Sequence, residues 1–199
     1  MLNKITRRTF LASATSAFAF AATPLLALTE AGARGLVDGL VAKINSVIAS
    51  GKSEAGMIKE FQGIFKRYAD VPIMAQYALG VDGRRASASQ KRAFGKAFEG
   101  YIARKYGKRF REFIGGKIEV KSARKIKPGY EIKTTAYLRA ESPFEVTFLV
   151  SSKSGKDLFF NMFIEGVNLL LTERTEIGAL LDRNGGDFDK MIADLKKSG

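Results

Sequence analysis

Asp157-Leu-Phe-Phe-Asn-Met-Phe-Ile-Glu-Gly-Val-Asn-Leu-Leu-Leu-Thr-Glu-Arg-Thr-Glu-Ile-Gly-Ala-Leu-Leu-Asp182 reads first as a strand. Alternation places Leu158, Phe160, Met162 and Ile164 on one face and Phe159 and Phe163 on the other. Both faces are largely apolar, as in a strand covered on two sides. Gly166 breaks the run, and from Val167 the spacing becomes helical, with Leu170, Ile177, Leu180 and Leu181 on related turns. A covered strand feeding an apolar helix through a glycine reads either as a cavity wall with its lid or as ordinary core. On pattern alone core is favoured.

Working outward, the segments before this stretch alternate in the same way. Ile118 and Val120 alternate with Lys117, Glu119 and Lys121; Tyr130, Ile132, Thr134, Ala136 and Leu138 follow the Lys127-Pro128-Gly129 turn. Phe144, Val146, Phe148 and Val150 follow Ser142-Pro143, and the polar loop 151–156 leads into the opening strand. Short turns between such segments predict an antiparallel meander of four strands. One apolar face along the meander requires helices to cover it.

Those helices come earlier in the chain. Residues 30–49 carry Leu36, Val37, Leu40, Val41, Ile44, Val47 and Ile48 at helical spacing and end at Ser50-Gly51. Ser53 caps a second helix with the stripe Met57, Ile58, Phe61, Ile64, Phe65 and Tyr68. Pro72 fits the first turn of a short helix stopping at Gly80. Ser87 and Gln90 form a capping box, and the helix they open presents Phe94, Phe98, Tyr101, Ile102, Tyr106, Phe110 and Phe113 on one half, closing at Gly115-Gly116. After the strands, Asn184-Gly185-Gly186 ends the helix begun near Val167, and Asp187 caps a last one with Phe188, Met191, Ile192 and Leu195. Helices first and sheet later predict an α+β fold, with N-terminal helices packed on the four-stranded sheet.

The N-terminus carries Thr6-Arg7-Arg8-Thr9-Phe10-Leu11, a twin-arginine export motif, then a short apolar run and Ala27 at a plausible cleavage site. Residues 1–27 are therefore expected to be a removed signal, and residues 28–199 one domain. The chain has no cysteine and no histidine, which excludes His-dependent nucleophilic catalysis, disulfides and the usual zinc sites. No pair of carboxylates stands out for other chemistry, so no enzyme, no catalytic residue and no metal is expected. Removing Lys4, Arg7 and Arg8 takes the formal charge from +13 to +10. Between Arg84 and Lys127 lie 15 Lys or Arg against Glu99, Glu112 and Glu119. Behind an export signal, such a run points away from nucleic acid and towards anionic headgroups with transient membrane-surface contact, an acidic partner, or a face kept solvated.

The ending Ile164-Glu165-Gly166-Val167-Asn168, Arg174-Thr-Glu-Ile177 and Gly185-Gly186-Asp187, with the Leu79-Gly80 stop and the Ser87-x-x-Gln90 aromatic helix, resembles the MlaC family. This family, also called the toluene-tolerance auxiliary family, comprises periplasmic phospholipid-binding proteins. The resemblance implies a nuclear-transport-factor-like fold with a lipid held in an apolar cavity between curved sheet and helices. It also implies a soluble periplasmic shuttle between an outer-membrane lipoprotein complex and an inner-membrane ABC transporter, with phospholipid as cargo and no cofactor. Two departures stand out. Where members often carry an aromatic residue, commonly Trp, and then Asp, this chain has Phe159-Phe160-Asn161-Met162; before the family Arg it has Leu171-Thr172-Glu173. A hopanoid-type cargo is the alternative these departures leave open.

Enclosure is what such a cargo needs. At about 0.8 kcal/mol per methylene, a lipid with roughly 30 of them would lose on the order of 20 kcal/mol crossing water bare. The expected wall combines Ile132, Ala136, Val146, Phe148, Phe160, Met162 and Ile164 from the strands with Phe98, Ile102, Leu170, Ile177 and Leu181 from the helices. Arg174 is expected at the cavity mouth, or else in a surface ion pair with Glu173 or Asp182. A lipid-free periplasmic adaptor for envelope proteins is the competing class of function.

Overall fold

The computed structural model describes residues 28–139 and 141–199. The expected export signal, residues 1–27, lies outside them, as does the side chain of Phe110. None of the described helices is long and apolar enough to cross a membrane.

Four helices precede the sheet: α1 (Glu30–Ile48), α2 (Glu54–Tyr68), α3 (Val71–Leu79) and α4 (Ala88–Gly107). Each starts on a side chain that satisfies an otherwise unpaired backbone N–H. Thr29 accepts from Gly32, Ser53 from Gly56 and Asp70 from Ile73, while Ser87 and Gln90 complete the capping box. α4 ends at Gly107 rather than at Gly115-Gly116, and a 3-10 turn (Lys108–Arg111) follows. At Gly107 the chain passes so close to α2 that an added Cβ would sit 3.1 Å from Ile58 Cα. Phe113 consequently leaves the helical stripe and meets Phe144 edge-on, ring centres 6.1 Å apart.

The sheet is an antiparallel meander of β1 (Lys117–Ile126), β2 (Gly129–Tyr137), β3 (Phe144–Ser151), β4 (Leu158–Ile164) and β5 (Val167–Asn168), in that order. The fifth strand is the one addition to the expected meander. Glu165 and Gly166, with φ of 51° and 78°, form a two-residue turn that folds Val167 back onto Ile164. Positive φ at both turn positions matches the twist of a hairpin. The chain thus pairs briefly before Asn168 caps α5 (Leu169–Arg183), and α6 (Phe188–Leu195) follows on the Asp187 cap.

One face of the sheet is solvated over β1 and β2 and laced by ion pairs, among them Arg124–Glu131 and Lys133–Glu145, while towards β4 it buries Thr147 and Asn161. The other is covered by helices, α1 lying across β1 and β2. Asn45 of α1 fastens this layer to β1, donating to Ile118 O at 3.0 Å and accepting from Ile118 N at 2.9 Å. The α2–α3 junction is tied to β4, where the N–H of buried Asp70 donates to Phe159 O at 2.8 Å. Ser154 in the β3–β4 loop donates to its carboxylate.

β4 departs from simple alternation. Leu149 faces Asn161 but the next residue, Val150, faces Phe159, so Phe160 is an extra residue in a β-bulge. The bulge turns Phe159 to the helix-covered face, where it is 5% exposed, and places Met162 and Ile164 on that same face opposite Phe148 and Val146. The expected grouping of Phe160 with Met162 and Ile164 is therefore corrected: Phe159 takes the inner place and Phe160 does not.

Candidate functional site: an apolar cavity between helices and sheet

Where the helices bridge the sheet they do not fill the space beneath them. A cavity of about 350 Å³ remains, within the range of small-molecule sites. Its helical side is Leu40 and Ile44 of α1, Phe61, Ile64 and Phe65 of α2, Met74 of α3, and Ile102 and Tyr106 of α4. Its floor is Ile118, Phe144, Val146, Phe148, Met162 and Ile164, with Phe159 at one end. Phe159 stands edge-on to Phe148 (5.5 Å) and tilted to Phe65 (6.1 Å), so an aromatic group joins sheet to α2 at that end.

Polar lining occurs at one place. Arg109, Glu112, Glu141, Ser142 and Glu165 border the cavity and are exposed, which marks its opening to solvent. Arg109 and Glu112 pair at 3.4 Å, and the exposed Ile114 lies beside them in sequence. The remainder of the lining is hydrocarbon and aromatic, apart from the Tyr106 hydroxyl. Such a space takes an apolar body and leaves a polar end at the rim.

Behind the helical wall is a polar cluster. Glu173 of α5 is 0% exposed; its Oε1 accepts from Tyr106 Oη at 2.5 Å and from Lys105 Nζ at 2.9 Å, while Oε2 has no partner among the described residues. Glu176 accepts from Tyr101 Oη and Lys105 Nζ, both at 2.7 Å. Burial first, then hydrogen bonding to Glu173 or Glu176, pushes the Tyr101 and Tyr106 phenols well above the ordinary phenol range. For Glu176, burial raises the carboxyl, but Lys105 and Tyr101 outweigh it and hold the group below its usual value. These groups join α4 to α5 and fix the position of the Tyr106 ring in the cavity wall.

Of the expected wall residues, Ile102, Val146, Phe148, Met162 and Ile164 line the cavity. Phe98, Ile132, Ala136, Leu170, Ile177 and Leu181 are buried but sit in the surrounding core. Phe98 stacks on Phe94 at 5.7 Å, and the α5 residues belong to a helix that packs on α3 and α6. Phe160 is outside the lining because of the bulge. Arg174 is not at the mouth, and no ion pair joins it to Glu173 or Asp182; its guanidinium lies 5.5 Å above the Tyr77 ring, against Gly80. The helical wall from α1, α2 and α3 was absent from the expected set, although the stripes containing Leu40, Ile44, Phe61, Ile64 and Phe65 carried the signal.

The MlaC protein family model matches residues 36–197. The chain belongs to the MlaC family. Among solved structures, a phospholipid-binding protein from Ralstonia solanacearum, determined in complex with a phospholipid at 1.53 Å resolution, shares the family fold. It superimposes with a TM-score of 0.68 at 17% identity, covering 82% of this chain and 98% of that one. At that identity the likeness speaks for the fold. Among curated proteins, nothing matches the chain.

Proposed function

We propose that this MlaC-family protein is a periplasmic lipid carrier that binds and moves a phospholipid without chemical change. The observation that carries the reading is the apolar cavity between helices and sheet, whose polar lining residues among those described are exposed at its opening. Acyl chains enter the hydrocarbon lining while the headgroup stays at the rim beside Arg109 and Glu112. The lipid seen in the Ralstonia relative supports the assignment of the cargo class.

In this reading the twin-arginine motif at Arg7-Arg8 directs the chain to the periplasm. There it serves as the soluble component of an ABC-type system, exchanging lipid between an outer-membrane lipoprotein complex and an inner-membrane transporter. Tail burial supplies the driving force. Each enclosed methylene contributes about 0.8 kcal/mol, so the lipid leaves only when a partner offers its chains another apolar environment.

The test is native mass spectrometry of protein purified from periplasm, followed by organic extraction. A stoichiometric adduct that releases a two-chain phospholipid is the expected result. A hopanoid in its place would keep the carrier and change its cargo. Protein that is apo, and remains apo after incubation with liposomes, would overturn the proposal in favour of a lipid-free adaptor.

A further inference from the structure

Back to back with the cavity, α2, α3 and α4 border a second depression, an open groove of about 910 Å³. Its floor is apolar, made of Ala69, Val71, Ala75, Leu79, Phe94 and Leu158. Its rim is cationic, with Lys66, Arg84, Lys91, Arg92 and Lys96 against the one carboxylate of Glu99. Gln62 Nε2 already donates to Glu99 at 3.3 Å.

The rim differs from the ion-paired outer face of the sheet. On the outer sheet face Lys117 and Lys121 share Glu119, Arg124 holds Glu131 and Lys133 holds Glu145. None of the five rim cations forms an ion pair among the described residues, and all five are exposed. Like charges set around a recessed apolar floor attract a ligand that brings carboxylates and hydrocarbon together.

We propose that this groove is the docking site for an acidic amphipathic helix of a protein partner. Apolar anchors at helical spacing fill the trough over Ala75, Leu79 and Phe94, and the carboxylates on either flank meet Lys66, Arg92 and Lys96. Concavity decides between a protein segment and a membrane. A bilayer surface reaches the cations but not the recessed floor, whereas a helix reaches both. Gly95, where an added Cβ would meet nothing within 4 Å, lets a docked backbone come close to α4.

The groove shares a wall with the cavity. Phe65, Met74 and Phe159 face the cavity while Ala69, Ala75 and Leu158 face the groove, so one layer of side chains separates them. A partner bound here grips the carrier from behind and leaves the rim at Arg109 and Glu112 free. The inference stands on the groove alone and does not need the lipid reading.

The test is fluorescence anisotropy of the purified full chain with labelled amphipathic helices that share one leucine-rich face and differ in glutamate number. Affinity is expected to rise with glutamate number and to fall as salt is raised. The double variant R92E/K96E is expected to weaken binding about tenfold, as charge reversal at a contacted rim does. K125E/K127E, with the same change in net charge on β1 and the turn after it, is expected to leave binding unaltered. Equal weakening by both double variants, or binding no tighter than that of glutamine-substituted helices, would overturn the proposal. So would phosphatidylglycerol vesicles that bind in an R92E/K96E-sensitive manner while no helix does. Circular dichroism and extractable lipid, measured on the same variants, separate loss of docking from loss of fold or of cargo.

Discussion

The hydroxyl of Tyr106 donates a 2.5 Å hydrogen bond to Oε1 of Glu173, which has no solvent exposure at all. The same tyrosine lines the cavity, so the wall of the apolar space is pinned from behind by a buried carboxylate. Lys105, 26% exposed, supplies the charge that makes this burial tolerable. An ionised group taken out of water needs a partner, and here it has one on the neighbouring helix.

Lys105→Met is therefore expected to cost about 3 kcal/mol in urea unfolding, the lower end for stranding a buried charge, because Lys105 keeps part of its surface in water. Adding Glu173→Gln should recover part of that loss, since a neutral amide needs no counter-charge. A double variant as unstable as the single, or worse, would show that the two groups are not coupled.

Alkaline stability should reflect the same cluster. Both phenols are raised above their ordinary value of 10.0, by burial first and by Glu173 and Glu176 next. The folded state therefore holds these protons more tightly than the unfolded chain does. Their contribution is complete below about pH 10 and is lost as pH climbs above it towards the folded values. Glu176, about half exposed and held below 4.5, against its partial desolvation, by Lys105 and Tyr101, behaves oppositely. Its small contribution is complete above that value and is lost as pH falls below it towards the lower folded value. Unfolding midpoints measured across pH should decline at both ends, and Tyr106→Phe should flatten the alkaline limb.

The β4 bulge makes neighbouring phenylalanines unequal. Phe159→Ala removes a ring held between Phe148 and Phe65 and is expected to cost about 3–5 kcal/mol, with less extractable lipid. Phe160→Ala, at a half-buried position outside the cavity lining, should cost about 1 kcal/mol and leave lipid content unchanged. Equal effects in chemical unfolding would contradict this register.

Arg174 is a structural clamp between α5 and the end of α3, stacked on Tyr77. Arg174→Ala should cost about 0.5–1 kcal/mol, the usual worth of an accessible cation over a ring. Lipid recovered per protein should not change; a marked drop would return Arg174 to the cavity mouth.

Local patterning makes much of the architecture legible in the chain itself. The capping box at Ser87 and Gln90, the stripes of α1 and α2, and the alternation of β2 and β3 are short-range features that propensity and periodicity report directly. The ending Ile164-Glu165-Gly166-Val167 points to the family that the profile match establishes. Less of the site is legible. An apolar stripe shows that a face is buried, not what lies across from it, so Ile177 and Leu181 on α5 look no different from Ile44 on α1.

By itself the sequence determined the α+β order, the helix starts, the meander, and the absence of histidine and cysteine chemistry, because each is written in residue type and local spacing. Only the tertiary structure decided which buried faces meet a cavity and which meet one another. It seated Phe159 inside through one extra residue in β4 and buried Glu173 against Lys105 and Tyr106 from another helix. It also set five cations, with no ion pair among the described residues, around a groove. Those outcomes depend on contacts between residues far apart in the chain, where register, a bulge and helix packing carry information that no local window holds.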